Sequence, residues 1–396
     1  MSEFTTVTLE GVCTKVTDGT HDSPKLQEFG VPFIKAKHIT KGLVDFDNCD
    51  YITQEEHEKV IARSKPEYDD ILFTNIGASV GRTAIIKSKI EFSIKNVALF
   101  KPDPKVINPD YLYFKITSSD FQTGIKNLKS GSAQPFVTLG SLRSFKFQIL
   151  KSLDDQKAIS NTLLNYDNLI ENNNSRIAIL EDIAQSLYRE WFVKFCYPGH
   201  ADALIESKGN PKLIDSPLGK IPNGWEVKRL DDYVVLQRGF DLPKRNRNEE
   251  GGIPIYAASG ITGYHDQVKA KGPGLVTGRS GTLGIVKLVL EGHWPLNTSL
   301  WVKEFKNCTA HYAYYLLDGI GLERFNSGAS VPTLNRNDVH GNPVIAPPTC
   351  LIEKFESIAS ANHKQIHLLK CKNENLKQQR DMLLPKLISG QIKLKD

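Results

Sequence analysis

The sequence predicts an α+β protein in which two similar globular domains are separated by a long antiparallel two-helix coiled coil. Two observations lead to this prediction. Several short phrases occur twice in the same order, about 200 residues apart, which is the pattern of a duplicated unit. Each copy also ends in a long segment with a heptad pattern of apolar residues, which is typical of paired helices.

The repeated phrases cover most of each copy. "ILFTNIGASVGRTAII" aligns with "GLVTGRSGTLGIVKLV", so that Thr74 meets Thr277 and Gly81 meets Gly284. "PDYLYF" then aligns with "AHYAYY", and "KSGSAQPFVTLG" with "NSGASVPTLN". Because the matches keep their order while their offsets drift slowly, small insertions and deletions in a duplicated unit explain them better than chance does.

The short runs within each copy predict strands. In the first copy the runs are "VPFIKAKHI", "DDILFTNIG", "GRTAIIKSK", "NVALFKPD" and "FKFQIL"; in the second they are "GIPIYAAS", "GPGLVTGRSG", "LGIVKLVL" and "TSLWVKEF". Asn108 followed by Pro109 predicts the start of a helix through about Leu128. The glycine-rich "GASVG" and "GRSGTLG" favour strand-to-strand turns, with phosphate contacts by their backbone amides as the alternative. Gly and Pro between Phe195 and Gly224 predict a connecting loop.

Heptad spacing predicts two long helices. The first seam is Ile159, Leu163, Tyr166, Ile170, Asn173, Ile177, Leu180, Ala184, Leu187 and Trp191; the second is Phe355, Ala359, Asn362, Ile366, Leu369, Asn373, Leu376, Arg380, Leu383 and Leu387. A helix of about 33 residues would span roughly 50 Å. Pro385 predicts a kink or an end in the last turn of the second helix. Antiparallel pairing would place Asn173 opposite Asn373 as a buried contact that fixes the register. Two amphipathic helices on separate domains remain the alternative.

Composition excludes several classes of protein. Apolar residues make up 40% and charged residues 24%, as in ordinary globular proteins, and no apolar run reaches the ~18 residues of a membrane span. The N-terminal residues lack the pattern of a signal peptide, so we expect a cytoplasmic protein without a membrane partner. No cysteine pair has the CxxC spacing of a zinc or redox site. A net charge of +5 is too small to indicate nucleic-acid binding by itself.

Catalytic motifs are absent from the sequence. It contains no Walker-type phosphate loop, no HExxH and no NPPY-like methylation motif, so we expect no catalytic residue, metal site or cofactor site in this chain. Glu206 and Lys208 form a Glu-x-Lys, but the nearest Pro-Asp pairs, at Asp103 and Asp110, lie in the other copy. A nuclease centre is therefore disfavoured. Asp18, His21 and Asp22 permit a metal or acid/base cluster, although a polar turn explains them better.

Basic and amide side chains cluster in presumed loops of both copies. Such clusters are often only solvated surface, yet Lys and Arg neutralise phosphates, and Arg, Asn and Gln contact base edges. The candidate DNA-binding residues are Lys35, Lys37, His38, Arg82, Lys129, Ser132 and Gln134 in the first copy, and Arg238, Lys244, Arg245, Arg247, Arg279 and Ser280 in the second.

The chain resembles the specificity (S) subunits of Type I restriction-modification systems over essentially its whole length. The resemblance depends on "RDMLLPKLISGQIKL" near the end, "SPLGKIPNGWEVKRL" at the start of the second copy, and "LYREWFVKF" at the end of the first helix. It implies target-recognition domains at 1–153 and 198–349, the latter with a connecting loop to about 222. It also implies the family's conserved helices at 154–197 and 350–396.

The resemblance further implies a non-catalytic subunit that recognises a bipartite double-stranded DNA target, one half through each domain. The helices would space the domains and dock two methylase subunits, which hold AdoMet; motor and endonuclease subunits would supply the ATP- and Mg²⁺-dependent steps. One departure is that "KSLDDQKAI" keeps the acidic-Gln-Lys opening of the helix, whereas "PPTCLIEKF" loses it. A DNA-dependent nuclease and a coiled-coil scaffold that never binds DNA remain alternative functions.

Overall fold

The chain folds into two compact units. The computed structural model describes residues 4–40, 42–128, 135–199 and 213–394. Unit 1 combines Met1–Glu171 with Asn373–Asp396, and unit 2 is Asn172–Lys372. Each unit contains one globular part together with a portion of both long helices.

Unit 1 is built around a four-stranded antiparallel sheet. Its strands are β1 (Phe4–Thr8), β2 (Cys13–Asp18), β3 (Val31–Lys35), β4 (Ile39–Thr40), β5 (Leu43–Val44), β6 (Asp50–Ile52), β7 (Ile71–Phe73), β8 (Thr83–Ile85), β9 (Ser93–Lys95), β10 (Ala98–Pro102) and β11 (Lys146–Leu150). The main sheet has the order β2-β10-β7-β8. Beside it, β3 pairs with β6 in the antiparallel direction and with β9 in the parallel direction, while β1 pairs with β11.

Unit 2 repeats this sheet plan. Its strands are β12 (Leu213–Ser216), β13 (Gly219–Pro222), β14 (Glu226–Arg229), β15 (Val234–Arg238), β16 (Ile253–Ala257), β17 (Gly260–His265), β18 (Gly274–Gly278), β19 (Val286–Val289), β20 (Trp294–Pro295), β21 (Ser299–Phe305) and β22 (Pro343–Ala346). The main sheet is β15-β21-β18-β19, β16 pairs antiparallel with β17 and parallel with β20, and β14 pairs with β22. The predicted duplication and the α+β class are confirmed.

The helices are interspersed with the strands along the chain. They are α1 (Leu9–Val12), α2 (Gln54–Ile61), α3 (Pro109–Thr117), α4 (Ser119–Asn127), α5 (Leu139–Ser144), α6 (Leu153–Tyr188), α7 (Ala310–Ile320), α8 (Arg336–His340) and α9 (Thr349–Ile388). Short 3-10 helices occur at Ala36–His38, Leu230–Asp232, Lys244–Asn246 and Leu322–Phe325, and α6 ends in a π-helical turn, Arg189–Val193. One apolar core in each unit joins the sheet to the neighbouring parts of α6 and α9.

Several details of the prediction are wrong, and two of them concern a predicted helix and a predicted loop. The helix expected from Asn108 to Leu128 is two helices, because Ser118 has extended backbone (φ −64°, ψ 150°) and its hydroxyl donates to the carbonyl of Lys115. The Asn108 cap is as predicted, since its side chain accepts from the N–H of Tyr111. The segment expected to be only a loop contains the hairpin β12–β13, which turns at Gly219 with φ 95°.

The two long helices pair in the antiparallel direction within each unit. In unit 1 the guanidinium of Arg380 forms an ion pair with Asp167. In unit 2 the rings of Tyr188 and Phe355 lie 5.9 Å apart, while Ile177 packs with Ile366 and Leu369. Facing residues therefore rise along α6 as they fall along α9, as the seam pattern predicts.

The ends and the polar seam positions of these helices can be compared with the prediction. Helix α9 continues through Pro385 to Ile388, so the proline lies in the last turn. Asn173 and Asn373 are both buried, with 5% and 4% of their surface exposed. Burial is what a seam position requires, and the direct contact between the two amides stays a prediction.

Gln156, in the first turn of α6, hydrogen-bonds to two other segments of unit 1. Its side chain is fully buried, and its Oε1 accepts from the backbone N–H of Asn108 at 2.8 Å. Its Nε2 donates to the carbonyl of Leu150 at 2.7 Å. One amide thus satisfies two backbone groups that would otherwise be buried without a partner.

Candidate nucleic-acid interface

A glycine turn joins two adjacent strands of the main sheet in each unit. Gly77 and Gly81 lie between β7 and β8 with φ of 87° and 102°. Gly281 and Gly284 lie between β18 and β19 with φ of 93° and 88°. Positive φ is the region that favours glycine, so the same backbone path explains why both copies keep these residues. The prediction of strand-to-strand turns is confirmed.

The repeated phrase docks on this turn in both units. In unit 1 the N–H of Gly77 donates to the carbonyl of Pro135 at 2.8 Å, and the N–H of Val137 donates to Asn75 at 2.8 Å. In unit 2 the N–H of Gly281 donates to Pro332 at 2.9 Å, and Leu334 donates to Arg279 at 2.8 Å. The phrase therefore occurs twice because each copy forms the same pair of backbone hydrogen bonds with its glycine turn.

A helix cap fixes the end of each docked segment. The hydroxyl of Thr138 accepts from the N–H of Ser141 at the start of α5. Asn335 plays the same part for α8, where its side chain accepts from the N–H of Asn337 at 3.1 Å. The glycine turn and the docked segment thus form one rigid backbone element per unit.

A third loop reaches this element from the end of β2 or β15. Gly19 and Gly239 follow these strands, and a Cβ on either would lie 2.2 Å from the carbonyl oxygen of Ile94 or Leu296. Only glycine fits such an approach, so the two loops leave their sheets along the same path. The repeated phrases do not include these glycines because the residues around them share little else.

The side chains on this third loop form a polar cluster in unit 1. Asp18 is buried and binds Arg63 through Nε at 3.0 Å. The other carboxylate oxygen of Asp18 lies 3.0 Å from Nε2 of His21, and Nδ1 of His21 lies 2.8 Å from Oδ1 of Asn96. The segment is therefore a connected and partly buried cluster of polar side chains, and not an isolated polar turn. A cavity of about 470 Å³ beside it is lined by Asp18, His21, Asn75, Ile76, Phe136, Val137, Thr138 and Leu139.

The corresponding cluster in unit 2 is basic. The guanidinium of Arg238 lies 3.4 Å from Oδ1 of Asp241, which also accepts from the side-chain amide of Asn297. Nε of Arg279 donates to the carbonyl of Asn297 at 2.9 Å. These contacts bring two of the predicted residues, Arg238 and Arg279, into one connected group with two residues that the prediction omitted.

The other candidates of unit 2 differ in accessibility. Lys244 and Arg245 are exposed on a short 3-10 helix, and their side chains have no ion-pair partner in the part of the chain that the structure describes. Arg247 donates to the carbonyls of Leu242 and Thr262, so it braces the loop. Ser280 belongs to the glycine turn and bridges to Thr333.

The candidates of unit 1 lie in separate places. Lys35 and Lys37 both contact Asp50, at 2.9 and 3.4 Å, and the hydrogen bond from Lys35 holds the pKa of Asp50 below its ordinary value. Arg82 is exposed at the end of the glycine turn. Lys129, Ser132 and Gln134 lie outside the described residues, immediately before the docked segment.

Among the candidates that lie in the described residues, only His38 is enclosed by the fold. It is 2% exposed, and its Nδ1 accepts from the backbone N–H of Lys35 at 3.0 Å. Burial lowers the pKa of His38, which favours the neutral ring. In this conformation its ring is covered, which argues against a base contact by this residue.

The described residues include no group of three or more His, Cys, Asp or Glu side chains placed to hold a metal ion. Glu206 and Lys208, on which the nuclease alternative depends, lie outside the described residues. Across the same described ranges, none of the helices is long and apolar enough to cross a membrane.

Comparison with known proteins gives a consistent family. The model of the family described as "Type I restriction modification DNA specificity domain" matches residues 1–182 and 222–377. The chain is 26% identical over 432 residues to the Type I restriction enzyme MjaIX specificity subunit of Methanocaldococcus jannaschii, covering 96% of this chain and 92% of that protein. It is 27% identical over 258 residues to the putative MjaX specificity subunit of the same organism, covering 62% and 57%.

A solved structure shares the fold. The Type I restriction-modification S subunit from M. genitalium superposes with a TM-score of 0.67 at 17% identity, covering 98% of this chain and 96% of that chain. At this identity the likeness shows the fold alone.

Proposed function

The chain belongs to the Type I restriction-modification DNA specificity family, and we propose that it recognises a bipartite double-stranded DNA target, one half through each globular part. As a member of this family it is a specificity subunit and not a catalytic one. The supporting observation is that the same three-loop arrangement occurs in both units, with different side chains on it.

The charge and exposure of the loops in unit 2 suit DNA. Lys244 and Arg245 project from an exposed turn, a few residues after Arg238 of the basic cluster. Cations at such positions neutralise phosphates and orient the protein on the duplex. Ser280 and the amides around the glycine turn add neutral donors of the kind that bind phosphate oxygens.

The two units carry different side chains at the end of β2 or β15 and in the loop that follows, which supports two different half-sites. Unit 1 presents a carboxylate and an imidazole where unit 2 presents a guanidinium and a carboxylate. Base edges in the major groove are distinguished by their pattern of donors and acceptors, so side chains of different chemistry select different bases. We expect an asymmetric target with an unread gap between its halves.

Exposed apolar side chains on the long helices support the docking of methylase subunits. Leu169, Ile179 and Ile183 on α6 are about half exposed, and Leu368 on α9 is 62% exposed. Ile179 and Ile183 are four residues apart and therefore share one helix face. Surface helices rarely expose such a stripe unless a partner covers it. AdoMet, ATP and Mg²⁺ belong in this proposal to the methylase, motor and endonuclease subunits, and the location is cytoplasmic.

Selection from a randomised duplex pool tests the proposal. The chain is purified together with its co-expressed candidate methylase, the complex captures duplexes at moderate salt, and the bound DNA is sequenced. We expect two short enriched blocks separated by a fixed gap. A single contiguous block, or no enrichment by a stable complex, would contradict the proposal and favour the scaffold function. Cleavage of the pool by the purified chain with Mg²⁺ would favour the nuclease.

A further inference from the structure

Three residues near the ends of β2 and β9 in unit 1 correspond to three residues near the ends of β15 and β20 in unit 2. Thr20 forms an isolated parallel bridge with Lys95, and Phe240 forms one with Leu296. The next residue along each segment is therefore also equivalent, which matches His21 to Asp241 and Asn96 to Asn297. Asp18 and Arg238 correspond as the residues immediately before the shared glycine.

The contacts within the two sets are the same in plan. Asn96 contacts His21 in unit 1, and Asn297 contacts Asp241 in unit 2. In each unit the residue before the glycine also contacts the residue that the asparagine holds. Asp18 binds His21 in unit 1, and Arg238 binds Asp241 in unit 2. The backbone and the asparagine are retained, whereas the side chain that they hold changes from an imidazole to a carboxylate.

The residue held at the centre of each set, His21 or Asp241, is well exposed to solvent. His21 has 54% of its side chain exposed, while Asp18 beneath it has 7%. Asp241 is 67% exposed, and Asn297 is only partly exposed. Arg238 is itself 53% exposed, so in unit 2 the partly covered part of the support is Asn297. An exposed variable side chain held by neighbouring contacts is the geometry of a specificity position.

Asp241 has one carboxylate oxygen available for a ligand. Its Oδ1 accepts from both Arg238 and Asn297, whereas no hydrogen bond to its Oδ2 occurs among the described residues. A held carboxylate with a free oxygen is an acceptor only, so it suits an exocyclic amine, N4 of cytosine or N6 of adenine. It repels a base edge that offers only acceptors.

The surrounding cations make a carboxylate tolerable near DNA. Arg238 contacts Asp241 directly, Arg279 is joined to it through Asn297, and Lys244 and Arg245 follow within four residues. These positive charges offset the repulsion between the carboxylate and the phosphates. A single acceptor in a basic loop adds little affinity and therefore contributes mainly discrimination.

We propose that Asp241 and His21 are counterpart base-contacting residues, Asp241 accepting from the amine of a cytosine or adenine in one half-site and His21 hydrogen-bonding through its exposed ring to a base edge in the other. Nε2 of His21 contacts the carboxylate of Asp18 and Nδ1 contacts Oδ1 of Asn96, so these two contacts orient the exposed ring. This assignment rests on the proposed function and adds to it two residues that contact bases and the kind of hydrogen bond that each forms.

The competing explanation is that Asp241 only orients Arg238 as an exposed ion pair. The two explanations differ in what they predict for the selected sequence. Loss of an orienting ion pair weakens binding to all sequences by a similar factor, whereas loss of a base contact relaxes one base position.

The experiment repeats the selection from the randomised duplex pool with variants of the chain in its complex with methylase. Asp241→Ala and the near-isosteric Asp241→Asn test unit 2, and His21→Ala tests unit 1. Glu249→Ala is the matched control, because it removes an exposed carboxylate from the same loop region of unit 2. We expect Asp241→Ala to lower the preference at one base pair of one block about tenfold.

The expected pattern is specific to each variant. Asp241→Asn alters the base preferred at that position, His21→Ala relaxes a position only in the other block, and Glu249→Ala changes neither block. If the wild-type complex selects a split motif and the variants of Asp241 and His21 select it unchanged, the inference is wrong and the proposed function stands. If the wild-type complex selects no split motif, the proposed function is wrong, and this inference is wrong as well because it rests on that function.

Discussion

The backbone N–H of Gly281 donates a hydrogen bond to the carbonyl of Pro332 at 2.9 Å, which joins the glycine turn of unit 2 to the repeated phrase. Gly281 has φ 93°, and a Cβ added there would meet no atom within 4 Å. A substitution therefore acts through backbone conformation and not through a clash. Because Gly77 and Pro135 make the same bond in unit 1, this link is part of the repeated framework.

Gly281→Ala should lower the free energy of unfolding by about 1 to 2 kcal/mol, the cost of a left-handed conformation for a residue with a Cβ. It should also weaken DNA binding by the complex, because the turn carries Arg279 and Ser280. Chemical denaturation and duplex binding measure the two effects. Gly252→Ala is the control, since that glycine has no positive φ and also has open space around it. Equal stability of the two variants would show that the turn is not strained.

Gln156→Ala should destabilise unit 1 by about 2 to 4 kcal/mol, because it leaves the N–H of Asn108 and the carbonyl of Leu150 buried without partners. Gln148→Ala, at an exposed position of β11, should have an effect below about 0.5 kcal/mol. Urea denaturation compares them. A small effect of Gln156→Ala would mean that water satisfies both groups.

Lys244→Ala combined with Arg245→Ala should weaken DNA binding and lower the salt slope by about one unit for each phosphate that is no longer neutralised. The physical reason is that each cation that neutralises a phosphate releases a counterion. Lys303→Ala, at another exposed position of unit 2, controls for net charge and should leave the slope nearly unchanged. Fluorescence anisotropy between 50 and 200 mM salt, a range of about fourfold, measures the slope. An unchanged slope in the double variant would remove these residues from the interface.

The stability of unit 2 should fall as the pH drops below about 6.5. Burial lowers the pKa of His293 and of His363 from 6.5, so the folded chain binds fewer protons there than the unfolded chain does. Their contribution is complete above the unfolded value and is lost as the pH falls toward the folded one. The loss should grow steadily as the pH falls from 6.5 to 5.5.

Urea unfolding at pH 7.5, 6.5 and 5.5 gives this slope. His293→Gln should flatten it, because glutamine does not titrate and can still donate to the carbonyl of Glu291, as His293 does. The same slope in wild type and variant would show that His293 does not contribute to the pH dependence.

Sequence patterns predict the long-range plan of this fold well. The heptad seam identifies α6 and α9 because apolar residues recur at every helical turn over many turns, and the duplicated phrases locate the glycine turns. The prediction missed many of the shorter strands, among them β1, β2, β14 and β15. Threonines and charged residues in β1 and β14 give a weak apolar pattern, and these strands form through pairing with β11 and β22, more than a hundred residues away.

The candidate site was predicted in part. Lys244, Arg245 and Arg279 stand out as cations in loops, but Asp241 and Asn297 do not, because their meaning comes from a contact between residues far apart in sequence. Similarly, "KAKH" looks like a basic patch, and only the fold shows that His38 points inward and that Lys35 and Lys37 contact Asp50. Charge is visible in a sequence, whereas burial and pairing are not.

The most direct test of the central claim is a genome-wide map of modified bases in a host that lacks such modification. The chain is co-expressed there with its candidate methylase, and a culture with the methylase alone is the control. We predict one split motif, methylated in both halves and absent from the control. Methylation at an unsplit motif, or the same methylation without this chain, would contradict the claim that its two domains select the target.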